Sequence, residues 1–90
     1  MTRQEGWIDI FLEAQAAELG AAENTLSAYE RDLTDYHVWL TNQSLTLSNA
    51  TQQDVESYLV YCDAQGFAKA TRARRLSAIR QLYRFAFEER

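Results

Sequence analysis

The stretch TRARRLSAIRQLYRFAFEER, running from Thr71 to Arg90, holds neither proline nor glycine and is built largely from Arg, Ala and Leu. Those are good helix formers, so a long helix is expected, starting at Ala70 or Thr71. On a wheel of 3.6 residues per turn, Leu76, Ile79, Tyr83 and Ala86 form one stripe, with Leu82 and Phe87 at its edges. The opposite side carries Arg74, Ser77, Gln81 and Arg84, with Arg80 at its margin. One face is expected to pack and the other to remain free for a partner. The run ends at Phe87-Glu88-Glu89-Arg90 with no Gly, Asn or Pro, which reads as a cut edge rather than a capped helix end.

Working back towards the N-terminus, the same period recurs. Ile8, Phe11, Leu12 and Leu19 define a first helix from about Trp7 to Glu18, stopped by Gly20. Leu26, Tyr29, Leu33, Tyr36, His37 and Leu40 define a second, with Asn24 as its expected N-cap and an end near Thr41. Asn42 to Ala50 reads as a loop pinned by Leu45 and Leu47. Thr51 and Asp54 have the spacing of a capping box and open a third helix, which carries Val55, Tyr58, Leu59 and Cys62 and ends at Gly66. The expectation is an all-α, compact bundle of four, or four to five, helices forming one domain over residues 1–90.

The composition, 47% apolar and 24% charged, suits a folded globular domain and is too apolar for disorder. The single cysteine, Cys62, excludes an internal disulfide and a cysteine-rich metal site, and its spacing assigns it to the core. No apolar run is long enough to span a membrane, and the start MTRQEGW lacks the apolar segment of a secretory signal, so a cytoplasmic protein is expected.

The net charge of −4 argues at first against an anionic partner. Its distribution argues the other way. Residues 1–68 carry a net of −9, whereas residues 69–84 contain Lys69, Arg72, Arg74, Arg75, Arg80 and Arg84 with no acid, a net of +6. A merely solubilising face usually mixes signs, so this segregation points to nucleic acid, with arginines for phosphates and base edges and Ser77 and Gln81 between them. Arg72 and Arg75 lie nearer the apolar stripe and are equally suited to pairing with acids of another helix. On the second helix, Asn24, Ser27, Ala28 and Arg31 share an outward face.

Other chemistry finds less support. Tyr29, Tyr36, Tyr58 and Tyr83 sit at core spacings without the cationic cluster that an active tyrosine needs, and His37 falls on an apolar stripe. Acidic pairs such as Asp32 and Asp35 lack a nearby His or third acid at metal-ligand spacing and read as solvated. No catalytic set, nucleotide fingerprint, metal site or cofactor site is expected. The reading from another class is an acidic helical protein-interaction module.

The run AENTLSAYERDL from Ala22 to Leu33, then Trp39-Leu40, RLSAIR from Arg75 to Arg80 and Leu82-Tyr83 resemble the N-terminal domain of Xer-type tyrosine recombinases, nearest their XerD branch. The resemblance implies a SAM-like core-binding domain that, with a separate catalytic domain absent from this chain, clamps duplex DNA. Its second and fourth helices would face the major groove. Carried over residue by residue, it implies DNA contacts at Asn24, Thr25, Ser27 and Arg31, and at Thr71, Arg74, Ser77, Ala78 and Arg80. Periodicity and the cationic run add Lys69, Gln81 and Arg84. The resemblance also implies other recombinase protomers as partners, with Trp7 and Phe11 of the first helix suited to that contact or equally to the core. Strand cleavage would belong to the catalytic domain, no tyrosine here would act as nucleophile, and no small molecule would bind. Chromosome-dimer resolution and element integration both remain open as the parent's task.

Overall fold

The computed structural model describes residues 3–20 and 22–88, with the side chains at both ends of the first helix and at the end of the last left out. The helices are α1 (Arg3–Leu19), α2 (Glu23–Asn42), α3 (Gln52–Ala64) and α4 (Lys69–Glu88). Among the described residues there is no strand. α4 packs against each of the other three helices, and α1 also packs against α2. This all-α bundle extends 35 × 26 × 22 Å.

The punctuation is where the sequence chemistry puts it. Gly20 and Gly66 adopt positive φ, 61° and 88°, which carries no Cβ penalty at glycine. At the end of α3 the Phe67 N–H donates to the Cys62 carbonyl and the Gly66 N–H to that of Asp63, the two bonds of a Schellman cap. α2 ends in the same motif, with Leu45 N–H donating to the Leu40 carbonyl and Ser44 N–H to that of Thr41. There the left-handed position is held by Ser44 at φ 61°, a residue that does not announce it. The Thr51 and Asp54 capping box is complete in both directions. Asn24 is not the N-cap of α2: Ala22 is, without a side-chain cap, and Asn24 lies in the first turn beside Glu23, whose charge suits a helix N-terminus.

The core gathers Ile8 and Phe11 of α1, Leu33, Tyr36 and Leu40 of α2, Leu47 of the loop, Tyr58 and Cys62 of α3, and Ala78, Ile79 and Leu82 of α4. Phe11 is completely buried, which gives it to the core rather than to a protomer contact. Trp7 is half-buried, edge-on to Phe87 at 6.1 Å. The side chain of Leu19, and Glu89 and Arg90 at the expected cut edge, lie outside the described residues. Leu47 anchors the loop as expected, and the Tyr83 hydroxyl donates to its carbonyl at 2.7 Å.

The packed face of α4 is rotated from the expected one. Arg75, Ala78, Ile79 and Leu82 are buried, while Leu76, Tyr83 and Ala86 are only half-buried. The turn follows from charge: α2 offers two carboxylates to this side of α4, and the helix seats Arg75 against them. Ala78, three residues on, is carried inward and is fully buried, so its methyl cannot meet a DNA ligand.

Candidate nucleic-acid interface

Two acids on α2 organise the cationic helix. Asp32 is 1% exposed although its charge would be expected to seek water. It stands one turn from Tyr29 and Tyr36 and beside Leu33, so the helical period turns it inward. Its carboxylate takes a two-point contact from Arg74, Nε to Oδ2 at 2.8 Å and Nη2 to Oδ1 at 2.9 Å. The Arg75 Nε lies 3.4 Å from Oδ1.

Asp35 accepts from Arg75 Nη1 at 2.7 Å and from the Tyr58 hydroxyl at 2.7 Å, and that hydroxyl also accepts from Arg75 Nη1 at 2.8 Å. The Arg75 guanidinium stacks over the Phe67 ring, 4.3 Å from its centroid. Asp32 and Asp35 are therefore not simply solvated: they are the counter-charges that allow an arginine into the interior. Arg72 pairs with Asp63 at 3.6 Å.

These partners set the titration of the groups. The hydrogen bond that Arg74 donates to Asp32 raises its already high pKa. For Arg75, burial works against the cation, but the bonds to Tyr58 and the charges of Asp35 and Asp32 outweigh it and the pKa rises. Burial, reinforced by the Asp35 bond, pushes the Tyr58 hydroxyl up. Burial does the same for Tyr36 and Tyr83, whose hydroxyls meet at 3.0 Å. Each shift disfavours a phenolate, the opposite of what activates a tyrosine nucleophile.

On the outer surface, Asn24, Thr25, Ser27, Arg31, Lys69, Arg74, Ser77, Arg80 and Arg84 are exposed, and Thr71 and Gln81 are half-buried. The Gln81 amide donates to Ser77 Oγ at 3.1 Å and to the Tyr29 hydroxyl at 3.3 Å. Together with the Asp32 and Arg74 pair, this ties α2 to α4 through polar contacts. Among the described residues no ion pair engages Arg31, Lys69, Arg80 or Arg84. An open groove between Arg31 and Arg75 is lined also by Glu30, Thr34, Asp35 and Val38.

Residues 8–90 match the family model of the phage integrase N-terminal SAM-like domain. The chain belongs to that family. It is similar to the tyrosine recombinase XerD of Rhizobium meliloti (strain 1021), 46% identical over 83 residues that cover 92% of this chain and 27% of the relative. It is 48% identical over 82 residues to the tyrosine recombinase XerD of Agrobacterium fabrum, covering 91% of this chain and 25% of the relative. The identity to that of Caulobacter vibrioides is 44% over 89 residues, 99% of this chain and 29% of the relative. The SAM-like chain thus spans about a quarter of the length of the curated relatives it matches. No solved structure matches it. The all-α bundle accords with that SAM-like family.

Among the described residues, no group of three His, Cys, Asp or Glu side chains is placed to hold a metal ion, and no helix is long and apolar enough to cross a membrane. Arg75, Tyr58, Asp32 and Asp35 are the site's internal frame, and sequence reasoning missed their joint role. The available signal was the position of Asp32, an acid on the stripe between two aromatic residues.

Proposed function

We propose that this SAM-like domain grips duplex DNA with the major groove against α2 and α4, in the service of a tyrosine recombinase whose strand cleavage and exchange lie in a separate domain. The observation that carries the reading is the set of exposed cations Arg31, Lys69, Arg80 and Arg84, none in an ion pair among the described residues, together with exposed Arg74, on a chain whose charge is otherwise acidic. An α-helix fits the major groove, and arginines with Ser77 and Gln81 between them can combine phosphate with base-edge contacts. Asn24, Thr25, Ser27 and Thr71 supply short polar groups beside the backbone. Ala78, buried, takes no part.

Internal ion pairs bear on the strength of such a grip. Arg72 and Arg75 spend their charge on Asp63, Asp32 and Asp35, so the electrostatic attraction of α4 is weaker than its composition suggests. The domain would then work in the cytoplasm on a double-stranded recombination site, with other recombinase protomers on the same DNA as its protein partners. Neither a cofactor nor a small-molecule substrate enters it.

The test is a gel-shift titration of the chain on a duplex carrying a Xer-type site, with a supercoiled-plasmid nicking assay beside it. Weak, salt-sensitive binding without nicking is expected. Salt-insensitive binding to a protein with none to DNA would favour an interaction module instead, and a covalent protein–DNA product would overturn the division of labour.

A further inference from the structure

Asp32 is an expensive residue for its place. A carboxylate in the interior must recover its lost hydration from close partners, and an apolar side chain of similar size would pack there without that cost. Arg75, buried beside it, already has Asp35 and Tyr58 as partners. The stronger geometry goes instead to Arg74, whose side chain is 44% exposed while that of Asp32 is not exposed at all.

The contact is side-on. It uses the Nε–H and one N–H of Nη2, both aimed at the buried carboxylate. What remains is the far end of the guanidinium: both hydrogens of Nη1 and the second hydrogen of Nη2, facing away from Asp32. That end is a planar fork of parallel donors, spaced for two neighbouring acceptors such as guanine O6 and N7 or two oxygens of one phosphate. An arginine without an internal partner must give up rotamer freedom to present the same fork; this one is already held.

We propose that Asp32 is a positioning residue for DNA recognition, locking Arg74 side-on so that its end-on fork is set for a pair of acceptors on the duplex. The inference rests on the DNA-gripping reading above. It makes a prediction whose sign runs against simple electrostatics. Removing a negative charge beside a DNA-facing helix should tighten binding if charge alone matters. If Asp32 positions Arg74, its removal weakens binding in spite of the added positive charge.

The experiment is a double-mutant cycle on the 90-residue chain, with Asp32→Asn and Arg74→Ala singly and together, read by fluorescence anisotropy on a duplex carrying a Xer-type site. Coupled neighbours change one another's effects by ~2- to 100-fold, so Asp32→Asn is expected to weaken binding ~5- to 10-fold with Arg74 present and less than ~2-fold in its absence. Unchanged or tighter binding by Asp32→Asn overturns the proposal. So does an equal loss in the Arg74→Ala background, since Asp32 would then act through the fold.

Arg74→Lys guards against misfolding of the Asp32 variant, because it keeps the charge at an exposed position but lacks the fork. It is expected to lose as much affinity as Arg74→Ala, and wild-type binding by Arg74→Lys overturns the proposal. Base-pair changes along the site then separate the two acceptors. A loss confined to one G·C pair assigns the fork to guanine, and a uniform loss with a shallower salt dependence assigns it to phosphate. If the unaltered chain does not bind duplex DNA, the functional reading falls and this inference with it. If the chain binds and all four variants bind as well as it does, only this inference falls.

Discussion

Replacing Arg75 by Ala removes a cation that is 6% exposed and holds α2, α3 and α4 together. The variant loses the 2.7 Å bond to Asp35, the 2.8 Å bond to Tyr58 and the stacking on Phe67. Removing one partner of a buried ion pair costs about 3–5 kcal/mol when the other charge is stranded. Here the stranding is partial. Asp32 keeps Arg74, and Asp35 keeps Tyr58 and has a side chain 43% exposed to water. The expected loss is therefore about 2–4 kcal/mol, against a total stability of about 5–13 kcal/mol for a domain of this size. At about 4–8 °C per kcal/mol for a small domain, the melting temperature should fall by about 8–32 °C. Arg80→Ala, on the same helix but exposed and without an ion pair among the described residues, should stay within about 0.5 kcal/mol. Thermal and urea melts followed by circular dichroism decide it. A loss below about 1 kcal/mol for Arg75→Ala, or equal losses for the two arginines, would refute the idea that Arg75 is a structural cation.

The rotation of α4 sets its Leu76 apart from the buried Leu33 of α2: Leu33→Ala should cost about 2–5 kcal/mol, whereas Leu76→Ala, at a half-buried position, should cost less than about 1.5 kcal/mol by the same urea melts. Equal losses would place Leu76 back in the core. Because burial raises the hydroxyl pKa of Tyr36, Tyr58 and Tyr83 in the folded state, their contribution to stability should be level from about pH 8 to pH 10 and fall as the pH rises past it, where only the unfolded chain ionises. Urea midpoints between about pH 8 and pH 11 test this, and phenolate absorbance from these tyrosines in the folded protein would contradict it.

The helices were legible because their ends are written in local chemistry. Gly20 and Gly66 accept positive φ, and Thr51 with Asp54 closes a capping box whose geometry is fixed by spacing. Ser44 was not legible as the left-handed end of α2, since serine carries no special preference for that conformation, which here goes with the backbone bonds of Ser44 to Thr41 and of Leu45 to Leu40. The phase of α4 was misread for a different reason. The wheel put Arg75 near the apolar stripe and left open its pairing with acids of another helix; its apolar stem turns inward because two carboxylates and an aromatic ring await it on neighbouring elements. That information is tertiary. The same cause hid Asp32, whose place on the buried stripe makes sense only once Arg74 and Arg75 are seen across from it. The exposed cations Arg80 and Arg84 were legible because, among the described residues, no ion pair across the bundle engages them.

The most direct test of the DNA grip is the slope of log Kobs against log salt for the chain on duplex DNA, compared with that of an Arg80→Ala, Arg84→Ala double variant. With Arg31, Lys69, Arg80 and Arg84 as the cations free to meet phosphates and about 0.9 per phosphate neutralised, a slope of about −3 to −4 is expected, falling in magnitude by about 1.8 in the variant. A slope near zero, or one that the double substitution leaves unchanged, would contradict the assignment of this face to DNA.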